Sequence, residues 1–199
     1  MGLLEDWGVT IEELNEILAS RPSLRGILVG FIAEYKLPRL WFSDPRIGGL
    51  ERYDNHDRTR PGDFGFTYRG VPVTVQVKSL QTNSIRILGE GYAGTFQCDA
   101  SDRRPVKLPN RQTVETTCLL VGGFDLLAVN LFGFGQEWRF AFVKNEDLPH
   151  TKSAKYTRKQ RQYLLATSIK VTWPLQPPFR DEPFALLDEI VSAKLKRRN

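Results

Sequence analysis

The stretch Pro61-Gly-Asp-Phe-Gly-Phe-Thr-Tyr-Arg-Gly-Val-Pro-Val-Thr-Val-Gln-Val-Lys-Ser-Leu80 alternates apolar and polar side chains on both sides of Arg69-Gly70. Alternation with a period of two is typical of β-strands, because successive side chains point to opposite faces. The stretch therefore predicts two strands joined by a tight turn at Arg69-Gly70. Its valines and aromatic residues are expected to pack on a core, whereas the other set of positions includes Asp63, Gln76 and Lys78. One hairpin can thus bring an acid, an amide and a lysine together.

Two helices are predicted before this hairpin. Thr10-Ile-Glu-Glu13 is a capping-box pattern, and the helix that it opens is expected to end at Pro22. A second helix is predicted from Leu24 to about Leu37, capped by Ser23 and stopped by Pro38. This second helix has a broad apolar side.

A separate stripe on the second helix carries small residues and an acid at four-residue spacing, namely Gly26, Gly30 and Glu34. Each glycine costs such a helix about 1 kcal/mol relative to alanine, so close approach to another group is a plausible reason for both. Glu34 at the end of the stripe is either a solvated surface acid or a functional one.

The rest of the chain predicts one mixed sheet. An ordered loop or lid is expected at 41–61, and a polar, irregular segment at 85–115. Buried strands are predicted at 116–121, 126–132 and 138–143, and a C-terminal helix from about 183 to 195. Strands between helices favour an α/β fold, in the form of an α+β sandwich with a central mixed β-sheet flanked by helices.

The composition is that of an ordinary globular protein, since 41% of the 199 residues are hydrophobic and 26% are charged. Cys98 and Cys118 lie far apart in the sequence and indicate neither a zinc site nor a disulfide framework. No apolar run has the length of a membrane span, and the N-terminus lacks a signal pattern. These features predict a cytoplasmic protein of prokaryotic type that has no membrane partner.

The net charge of +5 fits a polyanionic partner, and it equally fits a basic but unremarkable surface. The positive charge is concentrated in two segments. In the second segment Tyr156 lies among the basic residues, a pattern that suits a phosphate backbone, although a solvated helix start explains it equally well. The basic residues are Arg103, Arg104, Lys107 and Arg111 in the first segment, and Lys152, Lys155, Arg158, Lys159 and Arg161 in the second.

Three motifs together resemble the PD-(D/E)XK nuclease superfamily: Gly30-Phe-Ile-Ala-Glu34, Pro61-Gly-Asp63 and Gln76-Val-Lys78. The resemblance covers roughly residues 23–80, and the segments 124–130 and 138–140 are similar to the next two strands of restriction-endonuclease-like cores. Gly62 separates the proline from the acid. Gln76 replaces the second acid, a variant also found in Mrr-like restriction enzymes and some intron-encoded homing endonucleases.

The resemblance implies a restriction-endonuclease-like core, with residues 1–22 as a helical extension and 23–199 as a single nuclease-like domain. It also implies a Mg²⁺ site, for which Mn²⁺ can substitute. Asp63 would be the direct ligand, helped by the side-chain oxygen of Gln76 and the carbonyl of Val77, with Glu34 binding directly or through water. Lys78 would orient the attacking water. The alternative explanation of Asp63, Gln76 and Lys78 is a surface ion pair with a neighbouring amide, which contributes little to stability.

These implications favour a metal-dependent DNA endonuclease of the restriction or homing type, acting on double-stranded DNA as a homodimer or a higher homo-oligomer. The segments 103–111 and 152–161 would bind the DNA. A Holliday-junction resolvase or a repair nuclease is the alternative within the class. A catalytically inactive DNA-binding module of the same fold is the alternative outside it, because Gln76 departs from the usual acid.

Overall fold

A computed structural model describes residues 2–54 and 60–197 of the chain. His56, to which the sequence assigns no role, lies outside these described residues, as does most of the charged run after Asp54. The helices are α1 (Leu3–Asp6), α2 (Ile11–Ser20), α3 (Pro22–Trp41), α4 (Arg158–Arg161) and α5 (Phe184–Lys196). The strands are β1 (Ile47–Arg52), β2 (Phe64–Tyr68), β3 (Val71–Ser79), β4 (Arg86–Leu88), β5 (Gly91–Gln97), β6 (Asp99–Lys107), β7 (Thr113–Cys118), β8 (Leu126–Asn130), β9 (Phe140–Lys144) and β10 (Ser168–Trp173).

The predicted hairpin is confirmed as β2 and β3, which pair antiparallel from Phe64 opposite Val75 to Tyr68 opposite Val71. Both turn residues have positive φ, 49° at Arg69 and 76° at Gly70. Two such residues match the right-handed twist of the flanking strands, which is why this two-residue connection forms a hairpin. The turn therefore fixes the register of the whole stretch.

The hairpin lies inside a five-stranded sheet with the order β1-β2-β3-β8-β9. β3 runs parallel to β8, and the other neighbouring pairs are antiparallel, so the sheet is mixed. One face packs against α3 and α5, where Val75 and Val77 meet Ala33, Leu37 and Leu187. The fold is thus an α+β fold with a central mixed sheet and flanking helices, as predicted.

The other face of the central sheet is covered by a second sheet that the sequence did not predict. This sheet has the order β10-β5-β4, and its Phe96, Ile169 and Val171 share a core with Leu127 and Val129 of β8. The polar positions of β3 face this side. Gln76 and Lys78 are half-buried there, because the alternation that buries the valines turns their neighbours the other way.

Strands β6 and β7 form a separate two-stranded ribbon. A third, small core packs against it and consists of Leu108, Cys118, Tyr156 and Leu164, with Leu108 at the turn end of the ribbon and Cys118 at the other end. The side chains of β6 alternate along most of the strand between exposed and half-buried positions. The ribbon therefore has one face toward the main body of the fold and one toward solvent.

Some predictions of local structure were wrong. The segment 85–115 is not irregular, because it contains β4, β5, β6 and the start of β7, and the loop predicted at 41–61 contains β1. Helix α3 begins at Pro22, whose missing N–H is harmless in a first turn, and it continues through Pro38 to Trp41. A Cβ added at Gly26 or Gly30 would meet no atom within 4 Å, so no close approach within the described chain explains these glycines.

Candidate active site

Asp63 is positioned by the glycine that precedes it. Gly62 has a φ of 81°, and a Cβ at this residue would lie 2.6 Å from the carbonyl oxygen of Val75, so no other residue fits without a shift of the backbone. The backbone N–H of Asp63 then donates to this same oxygen at 2.7 Å. Gly62 is therefore what allows the acid to lie directly against β3.

The carboxylate of Asp63 accepts two short hydrogen bonds from β3. Its Oδ2 atom lies 2.6 Å from the backbone nitrogen of Val77 and 2.6 Å from Nε2 of Gln76. The same amide nitrogen lies 3.4 Å from the carbonyl oxygen of Val77. The structure thus brings together the predicted acid, the predicted amide and the predicted backbone carbonyl.

Burial raises the pKa of Asp63 to about 6. The hydrogen bond from the N–H of Val77 works against this shift, the negative charge of Glu34 adds to it, and the positive charges of Lys78 and Arg52 reduce it. Desolvation has the largest effect on this pKa. The hydrogen bond from Val77 and the charges of Lys78 and Arg52 do not fully replace the hydration that the ionised carboxylate loses on burial. The site therefore holds an acid that would gain from an additional positive charge.

Glu34 lies near this acid but binds another partner. Its Oε2 accepts from Nη2 of Arg52 at 2.7 Å and from Nε of the same guanidinium at 3.2 Å. The Glu34 side chain is only 19% exposed, whereas that of Arg52 is 49% exposed. Arg52 was missed in the sequence because it lies on β1, within the segment interpreted as a loop.

Lys78 is anchored by a residue that the sequence did not single out. Its Nζ atom donates to the backbone carbonyl oxygen of Asp99 at 2.8 Å. Burial raises the pKa of the Asp99 carboxyl, and the charge of Lys78 and a hydrogen bond with Thr117 oppose this effect. No sequence signal could have revealed Asp99, because it is 21 residues away in a stretch interpreted as irregular.

A cavity of about 540 Å³ is lined by residues of the central sheet and of the ribbon. Asp63, Gln76 and Lys78 line it from the hairpin, and Arg104 and Lys107 line it from β6. Two of the predicted DNA-binding residues therefore line the same cavity as three of the predicted catalytic ones. The cavity lining includes neither Glu34 nor the basic residues of the second segment.

The second basic segment packs at the base of the ribbon. Tyr156, expected among the exposed cations, is buried, and its hydroxyl lies 2.6 Å from that of Thr116 on β7. Nε of Arg161 donates to the carbonyl of Tyr156 at 2.8 Å, so this arginine has a structural partner. Four basic side chains of the segment remain exposed: Lys152, Lys155, Arg158 and Lys159.

The donor set around Asp63 fits a hard divalent cation whose ligands are mostly uncharged oxygen atoms. Within residues 2–54 and 60–197, no three His, Cys, Asp or Glu side chains are grouped closely enough to form an all-acid site. The carboxylate of Asp63 and the carbonyl of Val77 are oxygen ligands of the kind that Mg²⁺ and Mn²⁺ prefer. Gln76 directs its Nε2 at Asp63, so its side-chain oxygen can join them only after the amide rotates.

The raised pKa of Asp63 predicts an unusual pH dependence of stability. Folding favours the protonated acid, so the free energy of unfolding should fall as pH rises from about 4 to about 6 and then level off. The shift from 3.8 to about 6 sets an upper limit of about 3 kcal/mol on this loss. Urea unfolding in chelator at several pH values checks it.

Asp63→Asn should remove this component of the pH dependence, whereas Glu90→Gln, at an exposed position, should keep it. If the free energy of unfolding depends on pH equally in wild type and Asp63→Asn, burial does not destabilise the ionised carboxylate of Asp63.

No known protein family matches the sequence. No curated protein matches it significantly. Among solved structures, the chain is similar to the bacterial homing endonuclease I-Ssp6803I, with 18% identity and a TM-score of 0.33. The similarity covers 71% of this chain and 86% of that one. At this level it establishes neither a family nor a function for the chain.

Proposed function

We propose that this protein is a metal-dependent endonuclease that hydrolyses phosphodiester bonds in double-stranded DNA. The observation that supports this most strongly is the cavity that Asp63, Gln76 and Lys78 line together with Arg104 and Lys107. An acid with a raised pKa in the same cavity as a lysine is typical of sites where protonation and charge change during a reaction. The additional cations suit the negative charge of a phosphodiester bound in the cavity.

The residues around Asp63 have distinct roles in this proposal. Asp63 and the carbonyl of Val77 would hold Mg²⁺ or Mn²⁺, with Glu34 contributing through water. When bound, the metal supplies a Lewis acid for the phosphate and a site for the attacking water. Gln76 orients Asp63 through its amide hydrogen bond and becomes a ligand if the amide rotates.

Lys78 would hold the attacking water and stabilise the charge that develops on the phosphate. Its Nζ atom can do this because the carbonyl of Asp99 uses one of its three N–H donors and thereby fixes its direction. A preorganised cation costs no reorganisation during the reaction, which makes it more effective than a mobile one. Asp99 is thus a positioning residue for Lys78.

The ribbon and the segment beside it would bind the DNA. A two-stranded ribbon fits the major groove, and basic side chains along it neutralise phosphates. Arg103, Arg104 and Lys107 lie on β6, and Arg111 follows in the turn with a φ of 68°. The exposed cations of 152–159 join them, because Tyr156 packs against β7. Both segments therefore form one basic surface next to the cavity.

This basic surface makes binding dependent on salt. Removing one phosphate-binding cation should flatten the plot of log affinity against log salt by about 0.9 on duplex DNA. The triple variant Lys155→Gln/Arg158→Gln/Lys159→Gln should therefore lower the slope by up to about 2.7. Arg161 is left in place because it bonds to the chain itself. Fluorescence anisotropy over a salt series measures the slope.

Lys170→Gln is the control, because Lys170 is equally exposed but lies on β10, outside both basic segments. An unchanged slope in the triple variant would show that the segment 152–159 is a solvated surface that does not bind phosphate.

Within this class, we propose a restriction or homing endonuclease that works as a homodimer, since two sites are needed to cut both strands. A Holliday-junction resolvase or repair nuclease would use the same residues, and only the preferred DNA would differ. A second candidate is an inactive DNA-binding module of the same fold. The Nε2 atom of Gln76 at 2.6 Å from Asp63 favours it, because a donor occupies the position of an expected ligand. Cleavage in Mg²⁺ separates the two candidates.

Across residues 2–54 and 60–197, none of the helices combines the length and hydrophobicity that crossing a bilayer requires.

A further inference from the structure

The N-terminal helices leave their apolar side chains uncovered. α1 and α2 contain no buried residue, and the buried positions of α3, Ala33 and Leu37, lie in its second half. We refer to the exposed apolar residues of these three helices, together with Trp7 directly after α1, as the N-terminal apolar face. On α3 it includes only the residues on the side away from Ala33 and Leu37. Its members are between 38% and 64% exposed: Leu3, Trp7, Ile11, Ile17, Leu24, Ile27, Leu28, Phe31 and Tyr35.

The size of this face exceeds what an isolated protein normally exposes. A buried aromatic side chain covers 150–250 Å², so Trp7, Phe31 and Tyr35 alone expose roughly 300–400 Å². Six aliphatic side chains add to this area, whereas the largest patch on a typical monomer is about 300–600 Å². A standard protein interface buries about 800 Å² on each partner, which is within reach of this face.

The charges beside the face divide into two sets of opposite sign. Residues 2–20 contain Glu5, Asp6, Glu12, Glu13 and Glu16 and no lysine or arginine. The basic set begins directly afterwards with Arg21 and Arg25, which are exposed at the start of α3. The face thus has an acidic half on α1 and α2 and a basic half on α3.

We propose that a second copy of this chain covers the N-terminal apolar face, with α2 of each copy against the start of α3 of the other. In a two-fold arrangement each copy offers the acidic half to its partner's basic half, so both contacts are complementary at once. DNA and anionic membrane surfaces would be repelled by the five acids. This interface would hold together the two copies of the homodimer in the proposed function. The observations that support the interface do not depend on nuclease activity.

Charge reversal tests the arrangement. Glu12→Lys/Glu16→Lys places positive charge against the partner's Arg21 and Arg25, and Arg21→Glu/Arg25→Glu places negative charge against its Glu12 and Glu16. Each variant alone should self-associate at least about tenfold more weakly than wild type. A mixture of the two should recover association, because both contacts are then complementary again. Analytical ultracentrifugation up to about 50 µM measures this, since interfaces of standard size bind at micromolar affinity or tighter.

The apolar half is tested separately. Ile27→Ser/Phe31→Ser should also weaken self-association, whereas Ile87→Ser should not, although Ile87 is 75% exposed on β4. All these positions are exposed, so the variants should keep the far-UV circular dichroism and melting temperature of wild type. A wild-type chain that sediments as a monomer, or charge-reversed variants that fail to recover on mixing, would overturn the proposal. A monomer would also remove the homodimer from the proposed function, whereas hydrolysis of a phosphodiester bond by each copy is assayed separately and can hold or fail independently.

Discussion

Lys78→Ala is expected to abolish DNA cleavage while folding and DNA binding stay close to wild type. Proton transfer and charge stabilisation by one positioned side chain are worth about 10²–10⁴-fold in rate, so a decrease of at least this size is expected. Folding should survive, because Lys78 is half-buried and its Nζ atom bonds to a backbone carbonyl rather than to a buried charge. Single-turnover cleavage, with anisotropy for binding, measures both effects.

Two lysines serve as controls for this result. Lys107→Ala removes a cation that lines the same cavity from β6, so it should weaken DNA binding more than it slows the chemical step. Lys170→Ala removes an exposed lysine on β10 and should change neither. If folded Lys78→Ala cleaves at the wild-type rate, Lys78 has no part in the reaction and the site is assigned to the wrong residues.

Asp63→Asn is expected to lose metal binding, whereas Gln76→Glu is expected to keep or strengthen it. Asparagine cannot supply the anionic oxygen, so Asp63→Asn should abolish both metal binding and cleavage, while removing a buried charge that destabilises the fold above pH 6. This variant should therefore be at least as stable as wild type yet inactive. Such a combination distinguishes a functional acid from a structural one.

Gln76→Glu replaces the amide that donates to Asp63 at 2.6 Å with a second carboxylate. Without metal, two acids at this distance cannot both ionise cheaply, so the variant should be less stable than wild type by about 1–3 kcal/mol. With metal, the added hard anion should give affinity for Mg²⁺ or Mn²⁺ at least equal to that of wild type. Its activity can move either way, because the amide also orients Asp63.

Calorimetric titration of the two variants with Mn²⁺ and Mg²⁺ compares these effects. Weaker binding by Gln76→Glu than by wild type, or equal binding by Asp63→Asn, would place the metal elsewhere.

The sequence predicted the central hairpin well because its information is local. Alternation fixes the faces of β2 and β3, and the Arg69-Gly70 turn fixes their register. The ribbon and the second sheet were missed because β5 contains two glycines and β6 carries charged residues at both exposed and half-buried positions, so neither strand shows a clear alternation of apolar and polar residues. Pairing with distant segments, such as that of β5 with β10, stabilises them instead.

The candidate site also combines residues placed by local sequence with residues placed by distant parts of the fold. Asp63, Gln76 and Lys78 meet because they lie on one hairpin, which the sequence could reveal. Arg52 and Asp99 come from strands that the sequence did not indicate, and their contacts depend on the packing of the whole fold.

Gly62 shows how a local residue can still be misjudged. Nothing in the sequence pattern marks it as important, yet its positive φ and the closeness of Val75 make it essential for the position of Asp63.

Cleavage of supercoiled plasmid and of branched DNA by wild type and Lys78→Ala, in Mg²⁺ and in chelator, tests the central claim most directly. We expect nicked or linear product, or cut branches, from wild type in Mg²⁺. We expect none from wild type in chelator and none from Lys78→Ala under either condition. Tight DNA binding by wild type without any cleavage in Mg²⁺ or Mn²⁺, or cleavage that persists in chelator or in Lys78→Ala, would contradict the proposed metal-dependent nuclease.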